Sequence, residues 1–293
     1  MMNVVQMGNL YYFIYIFAAL ALTILTLIFL RNKNQKYRYW FIFAITIVNL
    51  FIHFFKIFIF PYTTVEFIWT KVSFENVCAV SALTFPFAYF VKNKTIKDYM
   101  ILVGMTSGII TFIFPVDAMS EIFNGAYLGY KSAFSLETIR FYLSHYLIFL
   151  APFLMMRYKF HALSIKRAYR APLILVLVLV VIFLNELILT AIGWVPREEL
   201  FSTQHRNPSF IFGVRGDLSG LGVILGIFVP AFMRFHPVTG ELFYWPVIWL
   251  VIPALVYGGI FTLIYMIIYD SKETKLYFSR LFGIHHQKSE IEE

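Results

Sequence analysis

The chain has 293 residues, 60% of them hydrophobic and only 14% charged, with a mean hydropathy of +0.75. A soluble domain carries about 25% charge, so a water-soluble fold is excluded and repeated apolar runs point to an all-α, polytopic membrane helix bundle. A single cysteine excludes an internal disulfide and any multi-cysteine metal site. The net charge of +8 is clustered in a way that speaks for membrane topology and against nucleic acid as a partner.

Apolar segments fall, in chain order, at 10–30, 40–60, 74–91, 98–115, 137–156, 171–193 and 243–268. Each is long enough, or nearly so, to cross a hydrocarbon layer of about 30 Å at about 1.5 Å per residue. The expectation is seven transmembrane helices in one domain over 1–270, followed by a charged tail, 271–293. No internal repeat is visible. The first segment lacks a basic stretch before it and a small-residue cleavage signal, so it is expected to be retained.

Lys and Arg orient the spans. Segments 31–38, 92–97 and 157–170 and the tail after 271 hold 16 of the 24 basic residues. That face is expected to be cytoplasmic, with the N-terminus outside and the C-terminus inside. The stretch "DLSGLGVILGIFVPAFM" (217–233) is apolar but short and interrupted by glycine and proline. A further span there would place the basic tail outside, so it reads as a re-entrant or interfacial piece of an outer connection, 194–242. Such backbone is tolerated where protein or a wet cavity covers it. A connection this long points to a lid over a site.

Ionisable groups inside spans are expensive, about 2.5–3.5 kcal/mol each on insertion scales, so their depth is informative. The second span carries His53 and Lys56 near its outer end. The third carries Glu75, Asn76 and Cys78 in its first turns, the fifth carries Arg140 and His145, and the sixth carries Asn185 and Glu186 near its end. All fall in the outer half of the bilayer, which predicts a polar cavity opening outward. Glu75, Cys78, Ser81 and Ala82 are spaced to share one face.

Each residue also has a bland role. A lone buried cysteine is usually a small hydrophobe, a membrane His or Asn usually joins helices, and Glu75, Lys56 and Arg140 can snorkel or pair with one another. Taken together, a thiol and an imidazole at one depth can act as nucleophile and base, with Asn or Glu orienting the ring. There is no Gly-rich phosphate loop and no zinc spacing, and His285-His286 in the tail is too isolated for a metal site, so neither cofactor nor metal is expected.

The stretches "NVCAVSALTFPFAYFVKNKTIKDYMILVG" (76–104), "RFYLSHYLIFLAPFLM" (140–155), "FLNELIL" (183–189) and "RNPSFIFG" (206–213) resemble the YwaF-type integral membrane proteins of bacteria. Their animal relative is a transmembrane acyltransferase that moves a polyunsaturated acyl group onto ether lysophospholipids. The resemblance extends over about 76–270. It implies a bacterial plasma-membrane protein that acts on phospholipid or lysophospholipid, with Cys78 as the acyl-accepting thiol, His145 as its partner and Asn185 and Asn207 in support. Two departures stand out: Asn76 occupies the place of a family histidine, and 215–240 looks like an insertion.

Three readings follow. The first is an enzyme that forms a Cys78 thioester and passes the acyl group to a lysolipid or to water. The second is a non-covalent transporter or lipid- or solute-binding protein with the same outward cavity, disfavoured by the lack of inverted repeats. The third is a seven-helix receptor or structural subunit, which leaves the polar layer unexplained.

Overall fold

The structure, a computed structural model, describes residues 3–203, 206–214 and 219–282. Six helices among the described residues are long and apolar enough to cross a membrane. They are α1 (Leu10–Leu30), α2 (Gln35–Phe55), α4 (Lys94–Ile113), α6 (Leu136–Arg157), α7 (Arg170–Ala191) and α9 (Ile248–Tyr269). These six helices make the chain a multi-pass membrane protein.

Capping sets several of the helix starts. Asn9, Asn34, Asn93 and Ser135 each accept a backbone N–H from the first turn of α1, α2, α4 and α6, supplying a partner that the helix itself lacks there. The Asn34 cap draws the basic turn 35–38 into α2, five residues earlier than its apolar run begins.

The third segment departs from expectation. Helix α3 (Val77–Phe90) has 14 residues, about 21 Å of rise, which alone is short of the hydrocarbon thickness. Asn76 is its cap: the side chain accepts the Ala79 N–H at 2.7 Å. Glu75 therefore precedes the helix and does not share its face, whereas Cys78, Ser81 and Ala82 lie on it. Among its described residues, the apolar stretch at 217–233 holds no helix long enough to span. It holds α8 (Ser219–Gly226) of 8 residues, about 12 Å long, while Arg215 and the start of the stretch lie outside the described residues. The tail beyond 282, with His285-His286, is likewise outside them.

Short elements complete the chain: α5 (Val116–Met119), the hairpin of β1 (Ile122–Phe123) and β2 (Ala126–Tyr127), and α10 (Ser271–Leu281). A buried cluster joins Ile42 and Ile45 of α2, Val80 and Phe85 of α3, Met100 of α4, Ile148 and Leu154 of α6, Ile182 of α7 and Trp249 of α9. Helix α6 is the most buried of the six long helices. Two glycines let α4 close on its neighbours: a Cβ on Gly104 would meet the Phe85 ring at 2.9 Å, and one on Gly108 would meet the Phe149 Cβ at 2.6 Å and the His145 carbonyl at 2.9 Å.

The connections sort to two ends. At one end the N-terminal segment bridges Val4 to Ser132, Lys71 reaches Asn124, Tyr62 reaches Glu137 and Arg206 reaches Thr70. At the other end Arg38 bonds the end of α1, His161 and Arg167 bond Asp98, and Asp270 accepts the Ile165 N–H. The segments expected to share a membrane face thus gather together, with α3 running between the same two ends.

Candidate functional site

A cavity of about 430 Å³ opens at the end where the 56–76, 114–135 and 206–210 segments meet. Eight of the ten residues singled out by sequence line it: Cys78, His145, Asn76, Asn207, Glu75, His53, Lys56 and Arg140. Asn185 and Glu186 do not. Asn185 donates to the Ser73 hydroxyl at 3.1 Å and so braces the strand of chain that leads into α3. Glu186 is buried behind the wall, where it takes both arms of Arg206, at 2.5 and 2.8 Å.

Cys78 is the second residue of α3. The first turn of that helix is capped from two sides: Asn76 takes the Ala79 N–H, and the Ser209 hydroxyl accepts the Val77 N–H at 3.0 Å. Among the described residues nothing accepts the N–H of Cys78 itself. The Cys78 side chain is only partly buried.

His145 lines the same cavity from α6. Its Nδ1 lies 2.7 Å from the Phe141 carbonyl one turn back. A carbonyl only accepts, so Nδ1 carries the proton and Nε2 holds the ring's lone pair. The ring also packs 4.5 Å from the Phe141 ring, centroid to centroid.

Ion pairs form the rim. Lys56 donates to Glu75 at 2.8 Å, and Lys71 stands 3.8 Å from the other carboxylate oxygen while donating to Asn124 at 2.9 Å. Arg140 grips Glu137 at 2.6 and 2.7 Å, and both touch the Tyr62 hydroxyl. Burial works to raise the Glu75 carboxyl, but Lys56, Lys71 and Arg206 outweigh it and hold it at about 2. Burial pulls the Lys71 ammonium down to about 8 against the attraction of Glu75. Both groups are thus charged at neutral pH. Lining the cavity are five cationic side chains (Lys56, Lys71, Lys131, Arg140 and Arg206) and three acids (Glu75, Asp117 and Glu137), an excess that favours an anionic guest.

Sequence reading missed several of these residues. Glu137 was legible as an i, i+3 partner for Arg140 at a helix start. Asn49, mid-span in α2, was legible as a polar residue needing a partner, and it accepts the Ser144 hydroxyl at 2.8 Å. Ser209 carried no such signal. No group of three or more His, Cys, Asp or Glu among the described residues is arranged to hold a metal ion.

The model of the TMEM164 family matches residues 4–193, well over half of the chain. The chain belongs to the TMEM164 family. No curated protein and no solved structure matches it. The TMEM164 match takes in the 56–76 connection and the helices that carry Cys78 and His145. It stops short of Arg206, Asn207, Pro208, Ser209 and Phe210, which close the cavity from the outer connection. Asn207 organises that closing loop: its amide donates to the Gly213 carbonyl at 2.7 Å and its oxygen accepts the Phe212 N–H at 3.1 Å. Ser209 and Phe210 both have positive φ, 49° and 61°, a conformation that strains ordinary residues.

Proposed function

We propose that this protein transfers or hydrolyses an acyl chain of a membrane phospholipid through a thioester on Cys78, with His145 as the base. The observation that carries the reading is that Cys78 and His145 line one polar cavity while His145 is tied through Nδ1, which leaves Nε2 to accept the thiol proton. The sulfur attacks the ester carbonyl, a C–S bond forms and the C–O bond breaks. The lysolipid oxygen leaves with the proton held on Nε2. A second lysolipid hydroxyl, or water, then attacks the thioester and returns the thiol.

The α3 N-terminus and the cationic excess support the same reading. The helix dipole and the rim favour negative charge, both on a headgroup phosphate and in the tetrahedral intermediate. Lys56 and Arg140 are each engaged by a carboxylate, so the phosphate would add to existing pairs. The likeness to YwaF-type proteins and their acyltransferase relative points in the same direction.

One observation favours the alternative of a non-covalent lipid- or solute-binding cavity: the cations Lys56 and Arg140 are paired with Glu75 and Glu137 and not with the Cys78 thiol. Intact-mass spectrometry separates the two. Protein incubated with phospholipid should gain an acyl mass that is absent from Cys78→Ala and His145→Ala. Wild-type protein that stays unmodified while still binding lipid in the cavity would favour the second reading.

A further inference from the structure

The end of the molecule away from this cavity holds a groove of about 560 Å³ between the last turn of α1, the first turns of α2 and the end of α6. It is lined by Arg31, Arg38, Arg157 and Lys159, with Leu27 and Ile28 on its membrane side. No acid lines it among the described residues. The geometry points to a second lipid site here, for the headgroup of an anionic phospholipid. It does not depend on the reaction proposed for Cys78.

The four cations are not equivalent. Arg38 is already fixed: its Nε donates to the Leu30 carbonyl at 3.0 Å, its Nη2 to the Arg31 carbonyl at 2.6 Å, and its guanidinium lies 4.4 Å from the Tyr158 ring centroid. It closes the exposed end of α1 and forms the floor. Arg31, Arg157 and Lys159 are exposed, and none of them is in an ion pair among the described residues. They stand where the apolar runs of α1, α2 and α6 end, the depth of a phosphate layer. Ile28 of α1 is 64% exposed, so an apolar wall continues from the cationic mouth. A ligand that fits both parts has a phosphate and an acyl chain. Basic pockets between helix ends bind anionic headgroups for this reason.

Lys159 supplies an independent observation. It follows α6 in a turn where the Phe160 N–H bonds the Met155 carbonyl at 2.9 Å and its own N–H bonds the Met156 carbonyl at 3.2 Å. Its φ is +61°. This is the helix-ending position that glycine fills most readily. A lysine held there in a strained backbone, at the mouth of a groove of like charges, is understandable if the fold tolerates the strain to present the ammonium.

Purified full-length protein in phosphatidylcholine nanodiscs doped with phosphatidylglycerol tests the site, read by native mass spectrometry of retained lipid and by thermal midpoint. Wild type should retain phosphatidylglycerol in preference to phosphatidylcholine. The preference should fall about fivefold for each cation removed and vanish in Arg31→Gln/Arg157→Gln/Lys159→Gln. Lys159→Gly guards against misfolding: it should raise the midpoint in pure phosphatidylcholine while weakening the preference. Equal retention of the two lipids by wild type, or an undiminished preference in the triple variant, overturns the site. Stabilisation of wild type by inorganic phosphate without any lipid preference overturns the assignment to a lipid.

Discussion

The Arg206–Glu186 pair is the most exacting test of how the outer wall is held. The two side chains are 5% and 1% exposed, and Arg206 also donates to the Thr70 carbonyl at 3.1 Å. One residue thus joins the outer connection, the end of α7 and the 68–72 turn. Replacing Arg206 with Met keeps most of the volume but leaves the Glu186 carboxylate buried and alone. Breaking one side of such a pair costs about 3–5 kcal/mol, and the orphaned Thr70 carbonyl adds roughly 1 kcal/mol. The total is a large fraction of the ~5–15 kcal/mol that holds an ordinary domain together. Replacing both residues by Met removes both charges, and only the carbonyl term remains. The double variant should therefore lie within about 1–2 kcal/mol of wild type, far above the single. Equilibrium unfolding in mixed detergent micelles measures the three proteins side by side. Equal destabilisation of single and double variants would refute the reasoning, because it would mean that lost packing and not an unpaired charge sets the penalty.

Three further expectations follow from other parts of the molecule. In a Cys78→Ala background, single cysteines at Asn34 and Ser202 should react with an impermeant maleimide from opposite sides of a sealed membrane, with Ser202 outside; labelling from one side defeats the topology. Gly108→Ala should destabilise by about 1–3 kcal/mol in the same unfolding assay and widen the α4–α6 approach beside His145, since the new methyl would stand 2.6 Å from the Phe149 Cβ; a neutral result would mean that the contact relaxes freely. For pH, the Glu75 carboxyl is depressed from 4.5 to about 2, so its stabilisation is complete above about 4.5 and is lost as pH falls through about 2. The Lys71 ammonium is depressed from 10.5 to about 8, so the unfolded chain binds more protons between those values and stability should rise with pH there. Glu75→Gln should flatten the acid limb of unfolding midpoint against pH and Lys71→Met the alkaline one; unchanged limbs would remove these groups as the cause.

What could be read from sequence followed the strength of the local signal. The apolar runs located six long helices to within a few residues, and the basic clusters sorted the connections to two ends, because both are summed over many side chains. Cys78 and His145 were placed at one depth from the helix rise and a direction alone, and both line the same cavity. The start of the third helix was placed three residues early because hydropathy does not register a cap: Asn76 looks like one more residue of an apolar run, yet its side chain decides where the helix begins. Glu186 shows the opposite limit. A glutamate inside a span announces that it has a partner, but that partner, Arg206, is 20 residues on in a connection with no periodicity. Ser209 was beyond reach, since its contact with Val77 crosses 132 residues and depends on a left-handed backbone that serine itself does not call for.

The cavity is built from two sources with different constraints. The thiol and the imidazole sit on α3 and α6, inside the stretch that matches the TMEM164 family, and are fixed by glycine-mediated helix packing and by capping. The wall opposite them comes from 206–210, beyond that stretch, and is fixed by one buried ion pair, the Asn207 loop bonds and the Ser209 cap. A packed helix pair tolerates little change without loss of fold, whereas a connection at the membrane surface tolerates much more. Under the proposed function, chemistry and choice of guest are thereby separated in the chain. Under that function, changes at Asn207 or Ser209 should alter what the cavity admits, and changes at Cys78 or His145 what happens to it. The two halves meet at the start of α3, where the Val77 N–H donates to Ser209 one residue before the thiol, and Arg206 joins them again through Glu186 and the Thr70 carbonyl.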